Sequence, residues 1–197
     1  MRRPWFAGTG QGYAKPSAAQ RARPLVTPEE PMSKDAIVLL KEDHKEIRKV
    51  FKEFQKAGPG AKAKKGKLVD KMLELLTVHT YVENECMYPA ARERIPDLEQ
   101  HVLESYEEHH VADVLCMELM AMSPDDERFD AKTTVLIESV THHIEEEESE
   151  WFPQVRAALG RKELQELGER IIELKKKAPR SPAQPSALKK AIDAVID

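Results

Sequence analysis

The sequence predicts an all-α protein, organised as an antiparallel up-down four-helix bundle. From Ser33 onward apolar residues recur at three- and four-residue spacings, which is the period of a helix face. No segment alternates apolar and polar residues as a half-buried strand does. Loops of several residues separate four long amphipathic segments, and such loops favour antiparallel neighbours. We therefore expect a disordered tail at 1–31, the bundle at 32–159, and a helical extension with a proline-rich linker at 160–197.

Length and charge limit the functional classes. The chain has 197 residues, 34% of them charged, and a net charge of −4, which gives no basic surface for nucleic acid. No apolar run approaches the roughly 20 residues of a membrane span, and no apolar segment follows the N-terminal arginines. Two cysteines without a CxxC pattern predict neither a disulfide framework nor a thiolate zinc site. We expect a cytoplasmic protein without a nucleic-acid or membrane partner, and its oligomeric state is left open.

The first two helices flank a basic loop. Ser33 is a predicted N-cap for the first helix, and "GPGAKAKKG" at 58–66 is the predicted loop. The second helix is expected from Lys67 to Ala91, with Pro89 placed to kink it near its end. The predicted inward stripes are Ile37, Leu40, His44, Ile47, Phe51 and Phe54 in the first helix, and Leu68, Met72, Leu75, His79, Val82 or Glu83, and Cys86 in the second.

The third and fourth helices follow two short turns. Asp97 in "IPD" is a predicted cap for the third helix, and "SPDD" at 123–126 ends that helix. The fourth helix is expected over 130–159, with Gly160 as its C-terminal stop. A shorter amphipathic helix at 161–177 and a last short helix at 188–197 follow. The predicted inward stripes are Leu98, Val102, Ser105, His109, Ala112 and Cys116, and then Leu136, Val140, His143, Glu147 and Trp151.

Each predicted bundle helix carries one histidine on its inward stripe. In the second and fourth helices a glutamate follows that histidine by four residues, which is one turn on the same face. The two segments, "HTYVENECMYP" and "HIEEEESEWFP", share the order His, three residues, Glu, four residues, aromatic, Pro. Buried carboxylates without compensation cost several kcal/mol, and a metal pair removes that cost. The predicted ligands are His44, His79, Glu83, His109, His143 and Glu147.

Two other interpretations are weaker. A single histidine on an apolar stripe is usually a core residue, and a His-x3-Glu pair is usually a surface ion pair. Four histidines at matching depth with two repeated pairs favour a metal site over both. A ferritin-like site needs two Glu-x-x-His motifs. Only Glu107 and His110 provide one, and that site would leave three stripe histidines unused.

The segments quoted above resemble the hemerythrin-like, or HHE cation-binding, family. The matching residues are "DH" at 43–44, "HTYVENECMYP" at 79–89, "EEHH" at 107–110 and "HHIEEEESEWFP" at 142–153, and the resemblance covers about 33 to 158. It implies a four-helix bundle with a non-haem di-iron centre, in which two iron ions share an oxo or hydroxo bridge. Glu83 and Glu147 are then the bridging carboxylates. Nitrogen and oxygen ligands without thiolate suit iron or manganese, with zinc as a further alternative.

The third helix departs from the oxygen-carrying hemerythrins, which have two histidines four residues apart there. In this sequence Asp113 follows His109 by four residues, so Asp113 either replaces a ligand or leaves that position to water. His110 and Glu148 are further candidate ligands, although stripe position favours His109 over His110. A centre with fewer imidazoles has more open positions, which favours reaction over reversible oxygen carriage.

These observations predict a non-haem di-iron protein that binds or reacts with hydrogen peroxide, O2 or NO. The leading reaction is peroxide breakdown by a catalase- or peroxidase-like activity, although turnover is not settled and no catalytic residue is identified. The alternatives are an iron- or gas-responsive sensor and an oxygen carrier or iron store. Tyr88 and Phe152, which precede the matching prolines, are expected to close the end of the bundle, and Cys86 is expected to be a small buried hydrophobe.

Overall fold

The computed structural model describes residues 35–182. The predictions of a disordered tail at 1–31 and a last helix at 188–197 lie outside these residues. The described part is helical without strands, and none of its helices combines the length and apolar character of a membrane span. Its helices are α1 Ala36–Lys56, α2 Lys62–Val82, α3 Tyr88–Arg94, α4 Glu99–Met120, α5 Phe129–Glu146, α6 Phe152–Ala158 and α7 Arg161–Lys177.

Two π-helical turns make longer rods from four of these helices. The turn π1, Glu83–Met87, joins α2 to α3, and the turn π2, Glu147–Trp151, joins α5 to α6. Each turn starts at the glutamate of a His-x3-Glu pair, and the prolines of both repeats lie just beyond it. The bundle therefore consists of α1, α2–α3, α4 and α5–α6, as the sequence predicts.

Ion pairs at the helix ends show the up-down topology. Asp35, before the start of α1, accepts two hydrogen bonds from Arg156 near the end of the fourth rod, at 2.9 and 3.0 Å. Lys65 near the start of α2 pairs with Asp130 near the start of α5. The fourth rod therefore runs antiparallel to the first and parallel to the second, as in the predicted up-down bundle.

The apolar core is divided into two clusters along the bundle axis. Leu40 belongs to the first cluster and Ile47, seven residues later, belongs to the second. His44 lies between them on the same face of α1 and is fully buried. Since all four rods repeat this order, the polar stripe residues meet in a layer with apolar side chains on both sides.

The predicted helix after Gly160 packs on the bundle. Leu164 and Ile171 of α7 are buried in the first apolar cluster. The Gly160 N–H donates to the carboxylate of Glu163 at 3.2 Å, which satisfies one free donor at the start of α7. The fifth helix therefore adds to the core, whereas the domain boundary at 159 stays a prediction.

Two predicted caps are wrong. Asp35, not Ser33, caps α1, because its carboxylate accepts from the N–H of Val38 at 3.2 Å. Asp97 lies in a 3-10 turn, Pro96–Leu98, and provides no side-chain cap for α4. The fourth rod ends at Ala158, just before the predicted stop at Gly160, and Gly160 in an extended conformation with φ −69° is also the N-cap of α7.

The basic loop is shorter than predicted. Helix α2 begins at Lys62, not Lys67, because lysine and alanine favour the helix and outweigh Gly66. A Cβ atom on Gly66 would lie 2.8 Å from Pro124, so only glycine fits this close approach. The buried face of α2 is also rotated slightly from the prediction: Leu68 and Leu75 are half-buried, whereas Val69, Leu73 and Leu76 are buried.

Candidate metal centre

Four buried imidazoles meet between the apolar clusters. His44 Nε2 lies 3.2 Å from His79 Nε2, and His109 Nε2 lies 3.1 Å from His143 Nε2. Each of the four residues is at most 5% exposed. One histidine comes from each rod of the bundle, so two pairs of Nε2 atoms point into the same layer.

Two buried glutamates connect the histidine pairs. Glu83 Oε2 lies 3.2 Å from His79 Nε2 and 3.5 Å from His109 Nε2. Glu147 Oε2 lies 3.2 Å from His44 Nε2 and 3.7 Å from His143 Nε2. Each carboxylate therefore reaches a histidine of both pairs, as a bridging ligand must. The donors form two groups, within each of which the ligand atoms lie within 4.8 Å: His44, His79, Glu83 and Glu147, and Glu83, His109 and His143.

The outer nitrogen of every site histidine faces an oxygen of a neighbouring side chain. At His44, His109 and His143 the oxygen is within hydrogen-bond distance, and such a partner orients an imidazole and places its ring proton on Nδ1, which leaves Nε2 with a free lone pair. A carboxylate in this position also makes the imidazole a stronger donor. The Nδ1 contacts are Glu148 at 2.8 Å from His44, Asp43 at 3.6 Å from His79, Asn84 at 3.0 Å from His109 and Glu108 at 2.7 Å from His143.

The inner atoms of the site are suited to a cation. In the neutral rings the Nε2 lone pairs point at each other across 3.1–3.2 Å, and carboxylate oxygens lie beside them. Both oxygens of Glu83 and Oε2 of Glu147 are buried without a hydrogen-bond partner. Unpaired buried acceptors are costly, and a bound cation would satisfy all of them. The donor set of imidazole nitrogen and carboxylate oxygen fits iron, manganese or zinc.

Burial and neighbouring charges give the carboxyl groups of Glu83 and Glu147 different pKa values. Burial and the neighbouring Glu147 raise the pKa of Glu83 well above its usual range. Burial also acts to raise the pKa of Glu147, but His143 and His44 outweigh it and lower that pKa. Two carboxylates this close cannot both ionise freely without a cation. Burial and Glu147 therefore favour the protonated form of Glu83, and a bound metal ion would favour the ionised form.

Burial and neighbouring charges also give the site histidines different pKa values. Burial and the neighbouring His143 hold the pKa of His109 well below its usual value, so its ring is neutral and available as a ligand. Burial also lowers the pKa of His79. For His143 the effect of burial is outweighed by Glu147 and Glu108, which raise the pKa.

The π turns bring an unpredicted residue into the site. At 3.6 residues per turn, a residue nine positions after His79 would point about 180° away from it. The wider turn π1 rotates the following segment back, so that the Tyr88 hydroxyl lies 3.1 Å from His109 Nε2 and 3.1 Å from Glu147 Oε1. The same turn directs Cys86 away from the site, where its thiol contacts the carbonyl of Leu167 at 3.8 Å.

The expectation that Tyr88 and Phe152 close the end of the bundle is wrong. Both rings lie against site histidines, and Phe152 stacks on His44 with ring centres 5.6 Å apart. The sequence carried a signal, since proline follows both aromatic residues in the repeat. A proline inside a helix pattern removes a hydrogen bond and marks a break in the regular turn.

The three additional candidate ligands lie outside both donor groups. Glu148 accepts from Arg48 at 2.8 Å and contacts the outer nitrogen of His44 rather than the inner layer. The Nδ1 atom of His110 is buried without a partner. Burial raises the pKa of Asp113 to about 6. The metal-binding role of all the predicted ligands stays a prediction.

A family model described as the hemerythrin HHE cation binding domain matches residues 35–155, which is more than half of the chain. The chain belongs to this family. The hemerythrin HHE fold also matches the crystal structure of a hemerythrin HHE cation binding domain-containing protein from Mycobacterium kansasii, with a TM-score of 0.62 and 21% identity. That match covers 73% of this chain and 86% of the other. No curated protein sequence matches the chain.

Membership of the hemerythrin HHE family explains the buried polar layer. The family is a metal-binding module, and the two donor groups lie inside the matched segment. The buried histidines and glutamates are therefore the groups that could hold the metal in this hemerythrin HHE domain.

Proposed function

We propose that the chain is a non-haem di-iron protein that binds or reacts with small oxidants, with breakdown of hydrogen peroxide as the leading reaction. The observation that carries the proposal is the sharing of Glu83 and Glu147 between two histidine pairs. Shared carboxylates suit two ions held close together. Bound iron would supply the redox chemistry that these side chains lack.

The space beside the site supports a very small substrate. A cavity of about 10 Å³ borders His79, His109 and His143, which is about the smallest space that can hold one water molecule. Hydrogen peroxide, O2 and NO are close to this size after modest side-chain movement, whereas an organic substrate is not. Apolar clusters above and below the layer limit the access of water.

The surrounding side chains hold the donors in place. Glu148 and Glu108 fix the rings of His44 and His143 through their outer nitrogens. Tyr88 donates to Glu147 Oε1 and so restrains the second carboxylate. The chain thus positions the nitrogen and oxygen donors before any ligand arrives, which is the usual contribution of a protein to a metal site.

Metal analysis and a peroxide assay test the proposal. Purified protein should contain close to two iron ions per chain and should release O2 from hydrogen peroxide. His143→Ala should lose iron and activity, whereas the adjacent His142→Ala should keep both, because His142 is exposed, pairs with Glu146 at 3.3 Å and lies outside the buried donor groups. Protein without iron, or with a single zinc ion, would contradict the proposed centre. A full iron content without release of O2 would support the di-iron centre and contradict the proposed breakdown of peroxide.

A sensor is the second candidate, and one set of contacts favours it. Lys175 of α7 donates to Asp43 at 2.6 Å, and Asp43 faces the outer nitrogen of His79 at 3.6 Å. Arg170 of the same helix donates to the backbone carbonyl of Glu85 in π1 at 3.1 Å. Helix α7 thus contacts both the partner of a site histidine and the turn that begins at Glu83.

Hydrogen exchange separates the two candidates. A sensor should change the protection of the α7 amides when iron is oxidised, without sustained release of O2 from peroxide. An enzyme should release O2 while α7 protection stays constant between the reduced and oxidised forms. The same sample can be used for both measurements.

A further inference from the structure

The outer face of α1 carries a dense row of cations, here called the basic stripe. The stripe consists of Lys45, Arg48, Lys49, Lys52 and Lys56. These five side chains start within about 100° of arc on the helix and span about 17 Å along its axis. They border a shallow groove of about 490 Å³ that contains a single carboxylate, Glu53. The chain as a whole has a net charge of −4, so the stripe is a local reversal of its overall charge.

The basic stripe contributes little to the stability of the fold. Lys45, Lys52 and Lys56 are exposed and have no ion-pair partner among the residues that the structure describes. Like charges four residues apart on a helix repel each other, as Lys45 and Lys49 do, and Lys52 and Lys56. The stripe is therefore unfavourable for the helix alone, and its charge remains available to an anionic partner.

One member of the basic stripe connects it to the candidate metal centre. Arg48 Nη1 donates to Glu148 Oε1 at 2.8 Å, and the same oxygen lies 2.8 Å from His44 Nδ1. The Arg48 side chain is 29% exposed, whereas His44 is fully buried with its Nε2 in the donor layer. Two short polar contacts therefore link the surface of the stripe to an imidazole of the site. A partner that covers Arg48 lies close to the centre.

We infer that the basic stripe docks an acidic electron-carrier protein that reduces the iron centre. This inference rests on the proposed function and deepens it, because the carrier supplies the electrons that a peroxidase-like reaction consumes. Each carrier gives one electron to one ferric ion, so two carriers return two ferric ions to the ferrous state. Hydrogen peroxide then takes up these two electrons and two protons from water, its O–O bond breaks, and two water molecules form.

The distribution of charge favours a compact acidic protein over other partners. A second copy of the chain presents the same cations, so two stripes placed face to face repel each other. A nucleic acid or an anionic membrane extends beyond the stripe and also meets the acidic remainder of the chain. A small acidic protein can cover the stripe alone, and complementary charge raises the rate of such encounters.

Charge reversal on the basic stripe tests the docking step. The ferric protein is mixed without oxygen with a reduced, acidic plant-type ferredoxin, which is a low-potential one-electron carrier. The rate of reduction is followed by the loss of near-ultraviolet absorption from the ferric centre. The double variant Lys45→Glu and Lys52→Glu should slow this reduction by about 10-fold or more at low ionic strength. Salt at about 1 M should slow the unmodified protein and remove the difference, because salt screens exposed charges.

Two controls separate docking from other effects of the substitutions. The double variant Lys64→Glu and Lys67→Glu makes the same change in net charge at exposed positions of α2, so ferredoxin should reduce it at close to the unmodified rate. Photoreduced deazariboflavin, a small reductant without net charge, should reduce all three proteins equally fast. Equal slowing of both double variants by ferredoxin, or slowing of neither, would overturn the stripe as a docking surface.

The outcomes also separate this inference from the proposed function. Protein without iron rejects both. Iron-containing protein that deazariboflavin reduces and ferredoxin does not would retain the proposed centre and overturn the carrier. Binding to phosphatidylserine vesicles or to duplex DNA that is lost in the Lys45→Glu and Lys52→Glu variant would assign the stripe to a lipid or a nucleic acid, and would likewise overturn the inference.

Discussion

Four consecutive glutamates at 145–148 occupy three different environments. Glu145 and Glu146 are exposed, Glu147 is buried in the donor layer, and Glu148 contacts the outer nitrogen of His44. The spacing of four from His143 predicted the direction of Glu147. It did not predict the role of Glu148, because that role depends on which helix packs beside it.

Replacement of Glu83 should have opposite effects with and without metal. Burial and Glu147 disfavour the charged form of Glu83, so Glu83→Gln should stabilise the metal-free protein by about 1 kcal/mol or more. The same change removes a shared donor and should abolish the stabilisation by iron. Thermal unfolding with chelator and with iron measures both effects. The exposed Glu85→Gln should change neither, and equal effects of the two variants would contradict the assignment.

Replacement of Asp113 tests whether this residue belongs to the ligand set. Burial raises its pKa to about 6, so its charge weakens the folded state increasingly as pH rises from its unfolded pKa, near 4, through 6. Asp113→Asn should therefore raise stability by about 1–2 kcal/mol at neutral pH, with no gain below about pH 4. It should also keep its full iron content. Loss of iron would show that Asp113 is a ligand after all.

At the scale of the helices, the π turns separate the features that the sequence predicted correctly from those that it did not. Apolar spacing placed the four rods and the stripe histidines His44 and His109, and His-x3-Glu spacing placed the other four donors, because both patterns depend on a regular helix. Tyr88 and Phe152 were misplaced because regular spacing fails after Glu83 and Glu147. Cys86 is the small buried hydrophobe that was predicted, although the π turn moves it off the donor stripe. The hydropathy pattern does not show that a helical turn contains an extra residue. Only the paired prolines indicated where the two π turns lie.

Helix α7 should contribute to global stability. Ile171 is fully buried against the first apolar cluster, so Ile171→Ala should cost about 2–4 kcal/mol of unfolding free energy. Lys176→Ala, five residues further along the exposed side of α7, should change stability by less than about 0.5 kcal/mol. Denaturant unfolding followed by circular dichroism measures both. A small effect at Ile171 would mean that α7 detaches before the bundle unfolds.

At the scale of the whole molecule, metal binding should depend on pH in a defined direction. Because burial and Glu147 raise the pKa of Glu83, metal binding at this carboxyl group competes with a proton. Iron loading therefore releases protons, and affinity rises with pH. The stability of the metal-free protein should instead fall as pH rises, because a carboxyl group whose pKa is raised by folding favours the folded state less when it ionises.

Thermal unfolding across pH tests this linkage. The increase in Tm caused by iron should be larger under mildly alkaline than under mildly acidic conditions. Proton release during titration with ferrous iron in a weak buffer provides a second readout. A pH-independent increase in Tm without proton release would contradict the assignment of the displaced proton to Glu83.

Each half of the bundle places a carboxylate beside a histidine of the other half. Glu83 of the first half approaches His109 of the second, and Glu147 of the second half approaches His44 of the first. Neither half contains a complete donor set alone. A chain cut in the 3-10 turn Pro96–Leu98 should give two fragments that the apolar clusters bring together and that metal holds more tightly, so this turn offers a split point for a metal-dependent reporter.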